Sequence, residues 1–235
     1  MKIFKKKVLI LGGSSDIGLE LLKMFLEKEI YKIDLHYNSN IKNFKHLKNK
    51  CNLIKADLSV SNYKNTLKKF NKNYDIIVNL VGYINNKSFE KFTIKSLEKT
   101  LRINSLIPLL IIRMSITSMI KKKWGRILNS SSIGVKFGGG TKTFEYSVSK
   151  HFNEFIPSYL KKIANKNVFY NVMKIGLTNT KIHKKISNKN LKMRTNLLPI
   201  KKMAKPQDIA SYIYYLSSDE NQFITNELIN ITGGE

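Results

Sequence analysis

A chain of 235 residues that is 42% hydrophobic and 10% aromatic can build one sizeable core and is too apolar for a disordered segment. Its net charge of +26 does not mark a specific nucleic-acid binder: only Arg102, Arg113, Arg126 and Arg194 are arginines among 42 basic residues, and lysines scattered among many asparagines read as compositional drift, where a phosphate-binding stripe favours clustered arginine. The single Cys51 cannot form an internal disulfide, which suits a reducing cytoplasm.

The stretch Met1 to Leu11 begins like a leader, with lysines before an apolar run. That run, Val8 to Leu11, is too short for a signal segment or a membrane span, and it predicts a first buried strand, Lys7 to Leu11. A helix over Ile17 to Lys28 follows, then strands at Lys32 to His36 and Cys51 to Lys55, a helix at Asn62 to Phe70 and a strand at Tyr74 to Leu80. The second half gives a long helix Ser96 to Lys121, a strand Gly125 to Ser130, a helix Glu145 to Ala164, a strand Asn167 to Met173, a helix Pro206 to Leu216 and a strand Leu228 to Ile231. This alternation predicts a single α/β domain, a doubly wound parallel sheet with helices on both faces. The uncharged run Leu106 to Ile112 contains Pro108 and stops at Arg113, so it predicts a buried or interface helix rather than a membrane span. The polar, irregular segment Lys181 to Lys205 has the composition of a substrate lid. His36, His46, His151 and His183 lack metal-ligand spacing, and no metal is expected.

Two motifs carry chemistry. Leu11-Gly12-Gly13-Ser14-Ser15-Asp16-Ile17-Gly18 joins the first strand to the first helix. Glycines let a backbone approach a pyrophosphate, and a helix N-terminus offers unpaired amides; a glycine-rich turn without any ligand has the same pattern. In Tyr146-Ser147-Val148-Ser149-Lys150 the tyrosine and lysine stand four apart on one helical face. A phenol with its ordinary pKa of about 10 is a poor base unless nearby positive charge stabilises the phenolate. Lys150 can supply that charge and make Tyr146 a general acid–base. Such pairs also occur on solvated helix faces, so this one gains meaning from Ser132 and Asn104 upstream.

From about Lys7 to its end the chain resembles the short-chain dehydrogenase/reductase family in its single-domain form. The family's Thr-Gly-x-x-x-Gly-Ile-Gly falls on Leu11 to Gly18, with Leu11 for threonine and Asp16 for the middle glycine. Asp16 is expected to cap the helix, the alternative being repulsion of cofactor phosphates. The resemblance implies a catalytic tetrad of Asn104, Ser132, Tyr146 and Lys150. Ser132 would bond the substrate oxygen, Tyr146 would transfer the proton, Lys150 would lower the tyrosine pKa and hold the nicotinamide ribose, and Asn104 would position a water. Ser131 competes with Ser132, and the loop to Tyr146 is one residue longer than usual, with Gly138-Gly139-Gly140 able to absorb the excess.

The resemblance also implies a cofactor path. Gly12, Ser14, Ser15, Ile17 and Gly18 would meet the pyrophosphate, Asp57 and Leu58 the adenine, and Asn79, Gly82, Ile175 and Thr180 the nicotinamide end beside Tyr146 and Lys150. Asn79 would tie neighbouring strands, and Ile175 replaces the family's proline. At the end of the second strand Tyr37 stands where an acid would select NAD, and Asn38, Ser39 and Ser15 can donate to a 2′-phosphate. NADP(H) is therefore expected over NAD(H), with Asp34 as the ribose ligand if the register slips. The implied activity is carbonyl–alcohol interconversion by hydride transfer in a cytoplasmic homodimer or homotetramer. The substrate is a small or carrier-bound carbonyl, such as a 3-oxoacyl group on acyl carrier protein or a sugar or other polar ketone of surface-polysaccharide metabolism. A non-catalytic nucleotide-binding relative is the remaining alternative.

Overall fold

The computed structural model describes residues 5–28, 30–39, 47, 49–186 and 190–235. Met1 to Phe4, His46 and positions 187–189 of the expected lid lie outside the described residues. Seven strands form one sheet, all pairs parallel: β1 (Lys6–Leu11), β2 (Tyr31–Tyr37), β3 (Asn52–Lys55), β4 (Ile76–Asn79), β5 (Gly125–Ser132), β6 (Val168–Ile175) and β7 (Leu228–Ile231). Their order is β3-β2-β1-β4-β5-β6-β7. The chain winds outward from β1 in one direction and from β4 in the other, which opens a crevice at the carboxyl ends of these two strands.

The apolar run that predicts β1 is buried on both faces, as a central parallel strand requires. Val8 and Ile10 pack on the layer of α1 (Asp16–Leu26) and α8 (Pro206–Ser217). Leu9 and Leu11 face the opposite layer, which contains α2 (Tyr63–Leu67), α4 (Ile107–Lys122) and α6 (Ser158–Lys162). The continuous helical stretch Ile94–Lys122 is long and apolar enough to cross a membrane, but Ile107, Ile111, Ile112, Ile116 and Met119 are buried on the sheet. It is a core helix, as expected from Pro108 and Arg113.

The helices differ from the sequence expectations in places that matter for the site. The long helix starts as α3 (Ile94–Leu101), capped by Thr93, and widens into a π-turn over Arg102–Leu106 before α4. Glu145 to Ala164 is not one helix. α5 (Phe144–Phe152) ends where the Asn153 side chain donates to the Asn104 and Ser130 carbonyls, and Pro157 prevents direct continuation into α6. The helix expected over Asn62 to Phe70 shortens to five residues and closes in tight turns to Thr66 and Leu67. The expected lid is not wholly irregular either: it holds a turn of 3-10 helix, Lys181–Lys185, and the short helix α7 (Leu191–Asn196), capped by Asn190.

Candidate active site

The crevice at the carboxyl edge of the sheet is a cleft of about 450 Å³, the size of a small-molecule or cofactor site. One end is the turn between β1 and α1. Gly12 adopts φ +70, and a Cβ there would lie 2.9 Å from the Leu80 carbonyl and the Val81 nitrogen. Only glycine lets the turn press so closely on the end of β4. Ser15, not Asp16, caps α1: its hydroxyl accepts from the Gly18 amide at 3.0 Å. The Asp16 carboxylate, one residue into the helix, reaches across the cleft mouth. It accepts from the Lys181 amide at 2.7 Å and pairs with the Lys181 ammonium at 3.3 Å.

The end of β2 closes this side. Tyr37, Asn38 and Ser39 line the cleft there, and so do Asp57 and Leu58 beyond β3. Asp57 is braced by a bond from the Ser59 amide at 2.8 Å. Asp34 is not the ribose ligand. It is buried lower in β2, where it accepts from Tyr74, Asn71 and Asn52. Sequence reasoning assigned no role to His36. It is buried, Nε2 donates to the Ala56 carbonyl at 3.0 Å, and Nδ1 accepts from the Gly12 amide at 3.1 Å. Burial lowers the imidazole pKa against the opposing bond to Ala56, so the ring is neutral and holds the glycine turn.

The other end contains the expected chemical groups. Ser132 terminates β5, and its hydroxyl accepts from the Gly134 amide at 3.2 Å and is hydrogen-bonded to the Tyr146 phenol. Ser131, which also lines the cleft, donates its hydroxyl to Glu154 at 2.6 Å, whereas the Ser132 hydroxyl meets the phenol. Gly138 and Gly139 take φ +66 and +90 in the loop before α5, backbone conformations that favour glycine. Tyr146 and Lys150 follow on the cleft face of α5, the lysine nitrogen 5.8 Å from the phenol ring centre. Gly82 faces them, with space for a Cβ only 3.9 Å from Tyr146 and 3.1 Å from Ile182.

Lys150 is 2% exposed. Its nitrogen donates to the Val81 carbonyl at 2.9 Å, the Ser130 carbonyl at 3.1 Å and the Ser130 hydroxyl at 2.9 Å. Burial lowers its pKa to about 7, poising it between ammonium and amine at neutral pH. The expectation of a depressed phenol is not met by the protein alone. Crowding around the Tyr146 hydroxyl, partly offset by the Ser132 bond, pushes its pKa up to about 12. The tyrosine therefore holds its proton at neutral pH, as a proton donor must.

Three expected site residues lie behind the cleft rather than on it. Gly18 is buried within the turn, where a Cβ would meet the Gly13 backbone at 2.8 Å. Asn79 does tie the strands: it donates to the Asn129 side chain at 2.7 Å and accepts from the Val81 amide at 3.1 Å. Asn104 sits in the π-turn with its amide donating to the Tyr83 carbonyl and the Ser149 hydroxyl and its side-chain oxygen accepting from the Tyr83 amide at 2.7 Å. Its side chain is engaged with protein and its carbonyl accepts from Asn153 and Asn79, so it braces the Tyr83 loop against α5. Ile175 ends β6 level with Ser132, and Thr180 stands on the cleft wall beyond it. No group of three or more metal-ligating side chains occurs among the described residues.

The donor set fits a dinucleotide: a glycine cradle that a Cβ would fill, the first-turn amides of α1, and a polar end at Tyr37 to Ser39 that lacks an acid. Comparison with known proteins points the same way. A family model described as Enoyl-(Acyl carrier protein) reductase matches residues 40–235. The 3-oxoacyl-[acyl-carrier-protein] reductase FabG of Aquifex aeolicus is 30% identical over 161 residues, 68% of this chain and 64% of the relative, so that match spans slightly less than two thirds of the relative's length. The enzyme of the same description from Buchnera aphidicola subsp. Schizaphis graminum is 26% identical over 100% of this chain and 98% of its own. Among solved structures, a 3-oxoacyl (acyl-carrier-protein) reductase from Agrobacterium tumefaciens C58 with NADP bound superposes with a TM-score of 0.84 at 20% identity, covering 99% of this chain and 96% of that one. That likeness supports the fold.

Proposed function

The chain belongs to the short-chain dehydrogenase/reductase family, and from that premise we propose that it is an NADPH-dependent carbonyl reductase acting on 3-oxoacyl thioesters. The observation that carries this reading is the convergence of Ser132, Tyr146 and Lys150 on the cleft that begins at the glycine turn. The relatives named for 3-oxoacyl-carrier reduction, one of them aligned along the full chain, favour a thioester over a sugar or other polar ketone. A surface of net charge +26 suits an acidic carrier protein.

In this reading Gly12, Ser14, Ser15 and Ile17 hold the pyrophosphate, with Gly18 shaping the turn. Tyr37, Asn38 and Ser39 receive the 2′-phosphate, Asp57 and Leu58 the adenine, and Gly82, Ile175 and Thr180 the nicotinamide end, with Asn79 fixing the loop beneath. NADP(H) is preferred, and the absence of an acid at Tyr37 does not bar NAD(H). The reduced nicotinamide, when bound, supplies a hydride to the carbonyl carbon. Ser132 donates a hydrogen bond to the carbonyl oxygen, and Tyr146 passes its phenolic proton to that oxygen as the negative charge develops, completing the alcohol. The Lys150 ammonium stabilises the phenolate left behind. Asn104 acts from behind, holding the Tyr83 loop and α5 in register.

The protein works in the cytoplasm as a homodimer or homotetramer. Phe152, Phe155 and Tyr159, exposed by 43%, 74% and 56% from the end of α5 to the start of α6, offer apolar side chains for a subunit contact. The test is a panel of acetoacetyl thioesters, free and on carrier protein, nucleotide-sugar ketones and simple ketones, followed by NADPH absorbance. Thioesters should give the highest kcat/KM. Preference for a sugar ketone would overturn the substrate assignment, and NADPH binding without turnover of any carbonyl would favour a nucleotide-binding relative.

A further inference from the structure

The three bonds that hold Lys150 are not equivalent. The Val81 and Ser130 carbonyls can only accept, and so can satisfy two N–H groups whichever protonation state the lysine adopts. The third partner, the Ser130 hydroxyl, can accept and donate. An ammonium donates its third proton to this oxygen. A neutral amine, its proton lost to the solvent of the cleft, instead offers a lone pair that the same hydroxyl can fill.

Ser130 is 5% exposed and anchored in β5, where its amide donates to the Asn129 side chain and its carbonyl also accepts from Asn153. The backbone that carries the hydroxyl is thus held, and the oxygen lies 2.9 Å from the lysine nitrogen. No carboxylate pairs with Lys150 among the described residues. On α5 and the segment after it, Glu145 is turned to Ser96, Thr100 and Asn85, and Glu154 to Ser131, Lys174 and His151. On the elements packed against α5, Arg102 reaches the Ser59 carbonyl, Arg126 the Asn167 and Asn221 carbonyls, Lys99 the Tyr83 ring and Lys136 the Phe137 ring. Tyr146 is the titratable group that faces Lys150.

We propose that Ser130 is a positioning residue which, through its two-way hydrogen bond, holds Lys150 in place in both protonation states and sets the pH at which its charge is present beside Tyr146. This rests on the reductase reading for its catalytic consequence but not for its measurement. A bond to the ammonium is stronger than one to the amine, so removing the hydroxyl destabilises the charged form more and moves the Lys150 titration to lower pH.

Ser130→Thr and Ser130→Val test this as a pair, because they have the same shape and differ in the hydroxyl alone. The readout is the 13Cε resonance of Lys150 in protein labelled at lysine, followed against pH without cofactor and assigned by its disappearance in Lys150→Met. Ser130→Thr should titrate as the wild type, and Ser130→Val about one pH unit lower. The high-pH limb of kcat/KM for carbonyl reduction should move down with it, and Ser130→Thr should restore it. Equal Lys150 titration in the folded Thr and Val variants would overturn the proposal, whatever the activity. A titration shifted in Ser130→Val, together with a wild type that reduces no carbonyl, would leave Ser130 assigned and refute the reductase reading instead. Should Ser130→Val fail to fold, Ser130→Ala takes its place against wild type with the same expected direction.

Discussion

The floor of the cleft and its mouth are built on different physics. On the floor and behind it, buried polar side chains are locked to protein partners: Lys150 to two carbonyls and a hydroxyl, Asn79 to Asn129, Asn104 to Tyr83 and Ser149, and Glu145 to Ser96, Thr100 and Asn85. At the mouth, Asp16 and Lys181 join the glycine turn to the start of the expected lid with side chains 20% and 65% exposed. A buried group that loses its partner suffers the full cost of desolvation, whereas an exposed ion pair is screened and contributes little. The chemistry should therefore be fixed rigidly, and access to it tuned cheaply.

The sharpest way to break this contrast is to cut the floor at its reacting group. Tyr146→Phe keeps the ring and its packing, so NADPH affinity measured by fluorescence titration should hold, while turnover falls about a hundredfold or more. Near-normal turnover would return the proton to Ser132 or water.

Lys150→Met comes next and acts in opposite directions on function and stability. Reduction should collapse, but the fold should gain roughly 1–3 kcal/mol in urea denaturation, because a buried charge without a carboxylate partner has gone, an advantage partly offset by the Val81 and Ser130 acceptors left without its N–H groups. The sign follows from a folded pKa near 7, below that of an exposed lysine. Between the two values the unfolded chain binds a proton that the folded chain does not, so wild-type stability rises with pH across this window. The gain from methionine should be full below about pH 7 and shrink as pH approaches about 10. A gain that does not vary with pH would mean Lys150 is charged throughout.

Glu145→Ala removes the acceptor of Asn85 and leaves Ser96 and Thr100 only the Thr93 and Ser96 carbonyls, and should cost about 1–3 kcal/mol of stability, read by thermal denaturation, with a smaller loss of turnover through its neighbour Tyr146. The smallest effect belongs to the mouth. Asp16→Ala should change stability by less than about 1 kcal/mol and tighten NADPH binding a few-fold at low ionic strength, an advantage that salt erases. A larger effect than that of Glu145→Ala would erase the distinction between floor and mouth.

Much of this architecture was legible in the chain because strands buried on both faces are written as uninterrupted apolar runs. Val8 to Leu11 and Ile76 to Val78 need no tertiary information to be recognised. The placing of Tyr146 and Lys150 on one face of α5 was legible for the same kind of reason, four residues being about one helical turn. What escaped was set by contacts between distant segments. The break after Phe152 owes as much to Asn153 reaching the Asn104 and Ser130 carbonyls as to Pro157, and the π-turn around Asn104 leaves no mark on hydrophobic periodicity. Ser15 and Asp16 are both good capping residues one position apart, and composition cannot choose between them. The hold on Lys150 comes largely from backbone carbonyls at the ends of β4 and β5, and a carbonyl carries no sequence signature. His36 offered only a faint signal, a lone imidazole in an apolar strand beside the glycine turn.

The central claim is that Tyr146, beside Lys150, delivers the proton that completes a carbonyl reduction in this cleft. A single turnover with NADPH deuterated at C4 and an acetoacetyl thioester tests it most directly, run in parallel for the wild type and Tyr146→Phe. The account predicts deuterium at the new alcohol carbon in proportion to the NADPH consumed by the wild type, and a rate about a hundredfold or more lower in the variant at equal cofactor occupancy. Transfer at the same rate in both proteins, or NADPH bound by the wild type and left unoxidised, would contradict it.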